Sequence, residues 1–254
     1  DVCSSDLMVP GAVDVVVVHS GDLEPAALAH YAAQGQEPVA VDIPALEGRG
    51  VRVVAADIAE DDAAKIVAWA GHTFGSGLVF TASFEDPVLV HLVATHAPAT
   101  PIVVLDTQYL FAETRWLIDN LRRRLRFPLE VFHPADDVIP DDQWQFDVEG
   151  CCARRKVEPL SRALAGRSGW ITGIRRVDGP TRAYTPIVQF DESRGITKIN
   201  PLAAWSDERV EQYIVEHDLP RNPLTERGYP SIGCWPCTRP VAPGEDKRAG
   251  RWAG

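Results

Sequence analysis

Two pairs of cysteines carry the first chemical signal in this chain. Cys151 and Cys152 are adjacent inside Glu149-Gly-Cys-Cys-Ala-Arg-Arg-Lys156, and Cys234 and Cys237 form a Cys-x-x-Cys unit inside Ser231–Pro240. Four soft thiolates suit either Zn²⁺ or an iron–sulfur cluster. Structural zinc usually takes ligands spaced by two to four residues, so the adjacent pair is unusual for zinc, and spacing alone leaves both readings open. Cations gather in three groups: Arg122, Arg123, Arg124 and Arg126; Arg154, Arg155 and Lys156; and Arg239, Lys247, Arg248 and Arg251. The formal net charge is −11, so cations collected near thiols predict a small anionic ligand there, with no nucleic-acid and no membrane partner.

Such groups need a scaffold, and the chain alternates strands with helices. Val13–Val18, Val51–Ala55, Gly77–Thr81, Ile102–Leu105, Leu129–Phe132 and Trp170–Gly173 read as strands. Helices are expected over Glu24–Gln34, Asp61–Ala70, Pro87 to about His96 and Ala112–Leu125. Two more run from the first cysteine pair to about Leu164 and from a Ser206 cap to about His217, with loop beyond. This order predicts an α/β fold with a mostly parallel sheet covered on both faces.

Ligands on such sheets bind outside the carboxyl ends of the strands, which singles out three loops. Ser83, Glu85 and Asp86 precede a helix N-terminus and could hold phosphate or sulfate on backbone N–H groups; a plain helix cap explains them as well. Asp106 and Thr107 suit a ribose or base, or another cap. Arg175 and Arg182 flank a loop able to clamp an anion bidentately, or a solvated basic loop.

With 254 residues the chain can bury a full core in one domain. No apolar run approaches the roughly 20 residues that span a bilayer, which predicts a soluble protein. Residues 1–7 resemble a translated sequencing-library adapter and are expected to be an artefact, which sets Cys3 aside. The remaining cysteines, few and clustered, predict a reducing cytoplasm rather than a disulfide framework. His19 and His30 read as surface or core residues rather than ligands.

The segment Cys151-Cys-Ala-Arg-Arg-Lys-Val-Glu-Pro-Leu160 resembles the Cys-Cys-x-x-Arg-Lys-Val-x-Pro-Leu stretch of bacterial assimilatory adenylylsulfate reductases, the iron–sulfur type of the phosphoadenylylsulfate reductase family. Trp170-Ile-Thr-Gly-Ile-Arg175, Thr181-Arg182 and Asn200-Pro-Leu-Ala-Ala-Trp205 match as well. So do Gly228-Tyr-Pro-Ser-Ile-Gly-Cys-Trp-Pro-Cys-Thr-Arg-Pro240 and Gly244-Glu-Asp-Lys-Arg-Ala-Gly-Arg-Trp252. The resemblance covers residues 57–254 as one catalytic domain; residues 8–56 carry no assignment.

The resemblance implies an adenine-nucleotide α-hydrolase-like, Rossmann-like fold and thioredoxin-dependent reduction of adenylyl sulfate to sulfite and AMP, in sulfate assimilation and cysteine biosynthesis. It implies that Cys151, Cys152, Cys234 and Cys237 ligate a [4Fe–4S] cluster and that Lys156 lies between cluster and substrate. Arg248 and Arg251 correspond to arginines at the sulfate and phosphate end, Arg175 and Arg182 to an arginine loop. Ser83, Glu85 and Asp86 fall in a modified phosphate loop, Asp106 and Thr107 in the nucleotide pocket. Many relatives have Ser where Ala82 stands and Gly where Gln108 stands, so those two contacts differ here. The family's attacking thiolate, which becomes S-sulfocysteine, lies in a tail ending Glu-Cys-Gly-Leu-His. This chain ends at Gly254 without it, so the expectation is nucleotide and cluster binding without turnover. Phosphoadenylyl sulfate reduction and a non-catalytic nucleotide-binding domain with structural zinc are the alternatives; a homo-oligomer stays open.

Overall fold

A computed structural model describes residues 15–19, 44, 48, 52–56 and 62–251. The expected helix Glu24–Gln34, the segment 1–7, His30 and Trp252 lie outside the described residues. The chain divides into two compact units, residues 1–59 and 60–254. In the first, β1 (Val15–His19) and β2 (Arg52–Ala56) pair in parallel, with Val15 opposite Arg52 and His19 opposite Ala56.

The second unit is built on a six-stranded sheet in the order β5-β4-β3-β6-β8-β7. Its strands are β3 (Leu78–Thr81), β4 (Ile102–Leu105), β5 (Leu129–Phe132), β6 (Gly169–Ile171), β7 (Val188–Asp191) and β8 (Ile196–Ile199). All neighbours run parallel except β7, which pairs antiparallel with β8. The centre of the sheet is apolar: Leu78, Val79, Ile102, Val103 and Ile171 are fully buried, as befits parallel strands covered on both faces. The β7–β8 hairpin was not expected; it adds an edge to the sheet, beyond the strand end that carries Arg175.

Helices follow local rules. α1 (Ala63–Phe74) starts at Asp62, whose side chain accepts from the Lys65 N–H at 3.1 Å, and buries Ile66, Val67 and Ala70 at helical spacing. α2 (Val88–His96) is apolar almost all round and buries Val88, Leu89, Val90, Leu92 and Val93. α3 (Ala112–Leu125) buries Thr114, Leu117, Ile118 and Leu121 on one stripe, and its last turn carries Arg122, Arg123 and Arg124, favourable against the helix dipole. α4 (Val148–Cys152) continues through a π-helical turn, Ala153–Val157, into α5 (Glu158–Leu164), where the sequence pattern predicts one ordinary helix. α6 (Asp207–Glu216) is capped by Ser206 Oγ, which accepts from the Arg209 N–H at 3.2 Å. The region read as loop after it contains two 3₁₀ turns, Thr225–Arg227 and Trp235–Cys237.

One close approach fixes the sheet against α1. A Cβ on Gly169 would come within 2.6 Å of the Phe74 ring, so only glycine lets β6 pass there. Chain order reverses at β3, with β4 and β5 on one side and β6 on the other. Crevices at such switch points are where open parallel sheets bind ligands.

Candidate active site

A cavity of about 550 Å³ opens at that point, lined by Ser83–Pro87 after β3, by Gly173–Arg175 after β6, and by residues of α2, α6 and the C-terminal segment. The loop after β3 is held in an uncommon shape. Phe84 has φ 54° yet is almost wholly buried. Asp86 Oδ1 accepts from the Val88 N–H at 2.9 Å and so caps α2. The Glu85 carboxylate accepts from the Ile232 N–H at 3.0 Å and from Ser231 Oγ at 3.4 Å. Burial pushes both carboxyl pKa values above the usual range; the Ile232 N–H pulls against this for Glu85, the Val88 N–H and Arg175 for Asp86.

Facing these carboxylates are Arg175, Arg182, Lys247, Arg248 and Arg251. Asp178 accepts from the Arg175 N–H at 3.0 Å and from Arg182 Nη1 at 3.2 Å, and pairs with Arg175 Nη2 at 3.1 Å. Arg175 also reaches Asp207 at 3.0 Å, and Lys247 bonds the same carboxylate. Arg251 Nη1 donates to Ser231 Oγ at 3.0 Å and to the Ile232 carbonyl at 3.1 Å. The Arg248 guanidinium is pushed to lower pKa, first by burial and then by Arg251 and Arg182 beside it. A buried cation crowded by two others is relieved by an anion, so this end of the cavity suits sulfate or phosphate groups.

A second recess of about 260 Å³ shares Thr81, Ala82, Ser83, Ile232 and Arg251 with the first and adds Thr107, Lys156 and Cys234. Behind it the cysteines gather. Cys151, on α4, packs with Tyr109 and Cys234 under Trp144. Cys234 is bridged to Leu110, the Trp235 N–H donates to the Tyr109 carbonyl at 2.9 Å, and Thr107 Oγ1 lies 3.2 Å from Cys234 Sγ. The four cysteines among the described residues are free thiols, with Cys151, Cys234 and Cys237 buried and Cys152 half-buried. Burial raises the Cys151 and Cys237 pKa values; neighbouring thiols add to this, while Arg155 opposes it at Cys151 and Lys156 at Cys237. Arg155 is itself buried, donating to the Ile139 carbonyl at 2.7 Å and to Asp141 at 2.9 Å, and lying 4.9 Å from the Tyr109 ring centre.

Among the described residues no group of three or more His, Cys, Asp or Glu is arranged to hold a single metal ion. The donor set, four unpaired thiols close enough to act on one another and flanked by Arg155 and Lys156, fits a group that takes four thiolates.

Most of the expected site residues fall into two adjoining chambers. Ser83, Glu85, Asp86, Arg175, Arg182, Arg248 and Arg251 line the larger; Ser83, Thr107, Lys156, Cys234 and Arg251 line the smaller. Cys151, Cys152 and Cys237 line neither chamber. Asp106 lines neither: its Oδ1 accepts from the Gln108 N–H at 2.9 Å, and its carboxylate faces Arg115 at 3.5 Å and His133 at 3.9 Å. The Arg122–Arg126 group sits at the end of α3, with Arg124 paired to Asp218 at 3.1 Å, and Arg239 pairs with Glu245 at 3.1 Å; none of these lines a chamber. Sequence reasoning missed Asp178 and Asp207 as chamber residues, while Lys247 stood in the cation group expected to meet an anion. Asp178 was findable, since it stands three residues after Arg175 and four before Arg182.

Comparison with known proteins agrees with this fold. Residues 77–240 match the phosphoadenosine phosphosulfate reductase domain family. The chain is 42% identical over 230 residues to an adenosine 5′-phosphosulfate reductase of Rhodococcus opacus (strain B4), covering 84% of this chain and 91% of that protein. A Streptomyces coelicolor protein of the same name is 41% identical over 225 residues, covering 86% and 94%. Among solved structures, the phosphoadenylyl-sulfate (PAPS) reductase from Candida auris, in a phosphate complex, superposes with a TM-score of 0.63 at 28% identity, covering 70% of this chain and 90% of that one. The Candida glabrata FMN adenylyltransferase, at a TM-score of 0.52 and 14% identity, shares the fold.

Proposed function

The chain belongs to the phosphoadenosine phosphosulfate reductase family, and from that premise we propose that it serves the thioredoxin-dependent reduction of adenylyl sulfate to sulfite and AMP. The observation that carries this reading is the position of Arg251, which lines both chambers at once. A nucleotide in the larger chamber would put its sulfate end between Arg251 and Lys156, beside the thiols.

The chemistry asks for such an arrangement. A thiolate attacks the sulfur of adenylyl sulfate; an S–S bond forms, the S–O bond to the phosphate breaks, and AMP leaves with that electron pair. The resulting S-sulfocysteine is cleaved by a thioredoxin dithiol, which becomes a disulfide and releases sulfite. Attack on an anionic centre needs cations, and Lys156, Arg248 and Arg251, which line the two chambers, would offset that charge. Ser83, Glu85, Asp86, Thr107, Arg175 and Arg182 would bind the nucleotide, with Asp106 acting from the second layer by holding the turn at Gln108.

Cys151, Cys152, Cys234 and Cys237 would hold a [4Fe–4S] cluster, which would supply a polarising charge to the reaction. The attacking thiolate is then a cysteine outside this set. Free thiols and this chemistry suit a reducing cytoplasm. The names of the relatives at 41–42% identity favour adenylyl over phosphoadenylyl sulfate.

The test is thioredoxin-dependent sulfite release from each nucleotide, by this chain alone and with Glu-Cys-Gly-Leu-His appended. Release from adenylyl sulfate by the extended chain supports the proposal; release from neither nucleotide by either form rejects it.

A further inference from the structure

The loop that would receive the nucleotide does not hold its own shape. Phe84 has φ 54°, a left-handed conformation that a bulky side chain adopts only when its surroundings impose it. Its ring is buried, so the residue cannot relax by swinging into solvent. Just after α6, Asn222 is buried to the same degree, and its carboxamide is fully engaged. Nδ2 donates to the Phe84 carbonyl at 3.3 Å and to Thr114 Oγ1 on α3 at 3.3 Å, while Oδ1 accepts from the Leu224 N–H at 3.1 Å.

We propose that Asn222 is a positioning residue for nucleotide binding, fixing the backbone at Phe84 so that Glu85 meets the Ser231–Ile232 segment. This rests on the reading of the larger chamber as the nucleotide site. The geometry supports it from both ends. Upstream, the amide restrains the carbonyl of the strained residue; one position later, Glu85 accepts from the Ile232 N–H at 3.0 Å. Ile232 and Ser231 in turn receive Arg251 at 3.1 Å and 3.0 Å. Asn222 thus sets one end of a chain of contacts that finishes at the guanidinium shared by both chambers. Its polar atoms are taken up by protein, so it acts through the loop.

Asn222→Asp tests this with nearly the same shape, because it turns the donor toward the Phe84 carbonyl into an acceptor. The probe is AMP, titrated calorimetrically into the iron-loaded full chain, with iron per chain measured alongside. The expected result is binding weakened about tenfold or more at unchanged iron content. Amide exchange should accelerate at residues 83–86 while α1 and β4 keep the parent's protection. Affinity within about twofold of the parent overturns the proposal, as does exchange that accelerates evenly through the whole domain, which would mark a general structural role. If N222D does not fold, Thr114→Val replaces it: loss of the second amide partner should weaken AMP at least threefold or so, and unchanged affinity overturns the proposal. Failure of the parent to bind AMP rejects the nucleotide reading itself and is distinguishable from either.

Discussion

The Glu85 carboxylate accepts the backbone N–H of Ile232 at 3.0 Å, joining residues 147 positions apart in the chain. This bond ties the loop after β3 to the segment that carries Cys234 and Cys237. It also keeps an ionisable group inside protein. The Glu85 pKa is raised, so the folded state takes up a proton more readily than the unfolded one, and stability is present below the unfolded value of about 4.5 and lost as pH rises through the folded pKa. Glu85→Gln keeps an acceptor for Ile232 and removes the charge. In thermal melts it should exceed the parent by roughly 2–4 °C at pH 8, with the gap closing at pH 4. A gap independent of pH would show that the buried charge is not the cause.

Gly233 and Arg251 are packed so closely that a Cβ at residue 233 would lie 2.8 Å from Arg251 Nη2. Gly233→Ala therefore displaces the guanidinium that lines both chambers. Adenylyl sulfate binding should weaken about tenfold, and AMP, which lacks the sulfate, by roughly threefold or less. Calorimetry with the two ligands reads the difference; equal losses would place Arg251 away from the sulfate end.

A buried polar pair stands just after β6. Thr172 Oγ1 donates to Asn200 Oδ1 at 2.5 Å, and Asn200 Nδ2 donates to the Pro186 carbonyl at 2.8 Å. Asn200→Ala leaves a hydroxyl and a carbonyl without partners and should cost about 2–3 kcal/mol in urea unfolding. A loss of less than roughly 1 kcal/mol would mean the groups find other partners.

The helices behind the chamber carry an acid-sensitive contact. His91 Nδ1 lies 2.8 Å from Tyr213 Oη, and the His217 ring centre lies 4.7 Å from that of His91. Burial pushes the His91 pKa below its usual 6.5, with His217, His96 and Arg124 acting in the same direction. A depressed folded pKa means that the unfolded chain binds the proton first, so stability is present above about 6.5 and falls as pH drops through the folded value. His91→Gln keeps a partner for Tyr213 without titrating. Its stability should fall less than the parent's between pH 7 and 5; parallel curves would rule out His91 as the origin.

Much of this was legible in the sequence because β4, β5 and α3 advertise themselves. Ile102–Leu105, Leu129–Phe132 and Ala112–Leu125 match their expected limits residue for residue, since short apolar runs and a four-residue stripe leave little choice. The β7–β8 hairpin was not legible: Val188–Asp191 is part exposed, only the end residues of Ile196–Ile199 are buried, and the chain turns through Gly195 without a long apolar run. The π turn at Ala153–Val157 has no marker in residue type. The thiols were visible as pairs, but their enclosure by Tyr109, Trp144 and Arg155 depends on contacts between distant segments. Asp106 stood at the expected strand end, yet Arg115 and His133 lie on the side its carboxylate faces. Asn222 is an ordinary loop residue until Phe84 is seen to need it.

The most direct measurement is an anaerobic titration of adenylyl sulfate into the iron-reconstituted chain, with visible absorbance and iron content recorded on the same sample. The account predicts about four irons per chain, loss of the visible band on Cys151→Ser or Cys234→Ser, and saturable binding of adenylyl sulfate at least about tenfold tighter than of phosphoadenylyl sulfate. Saturable binding of neither nucleotide, or stoichiometric zinc with no visible band, would contradict it.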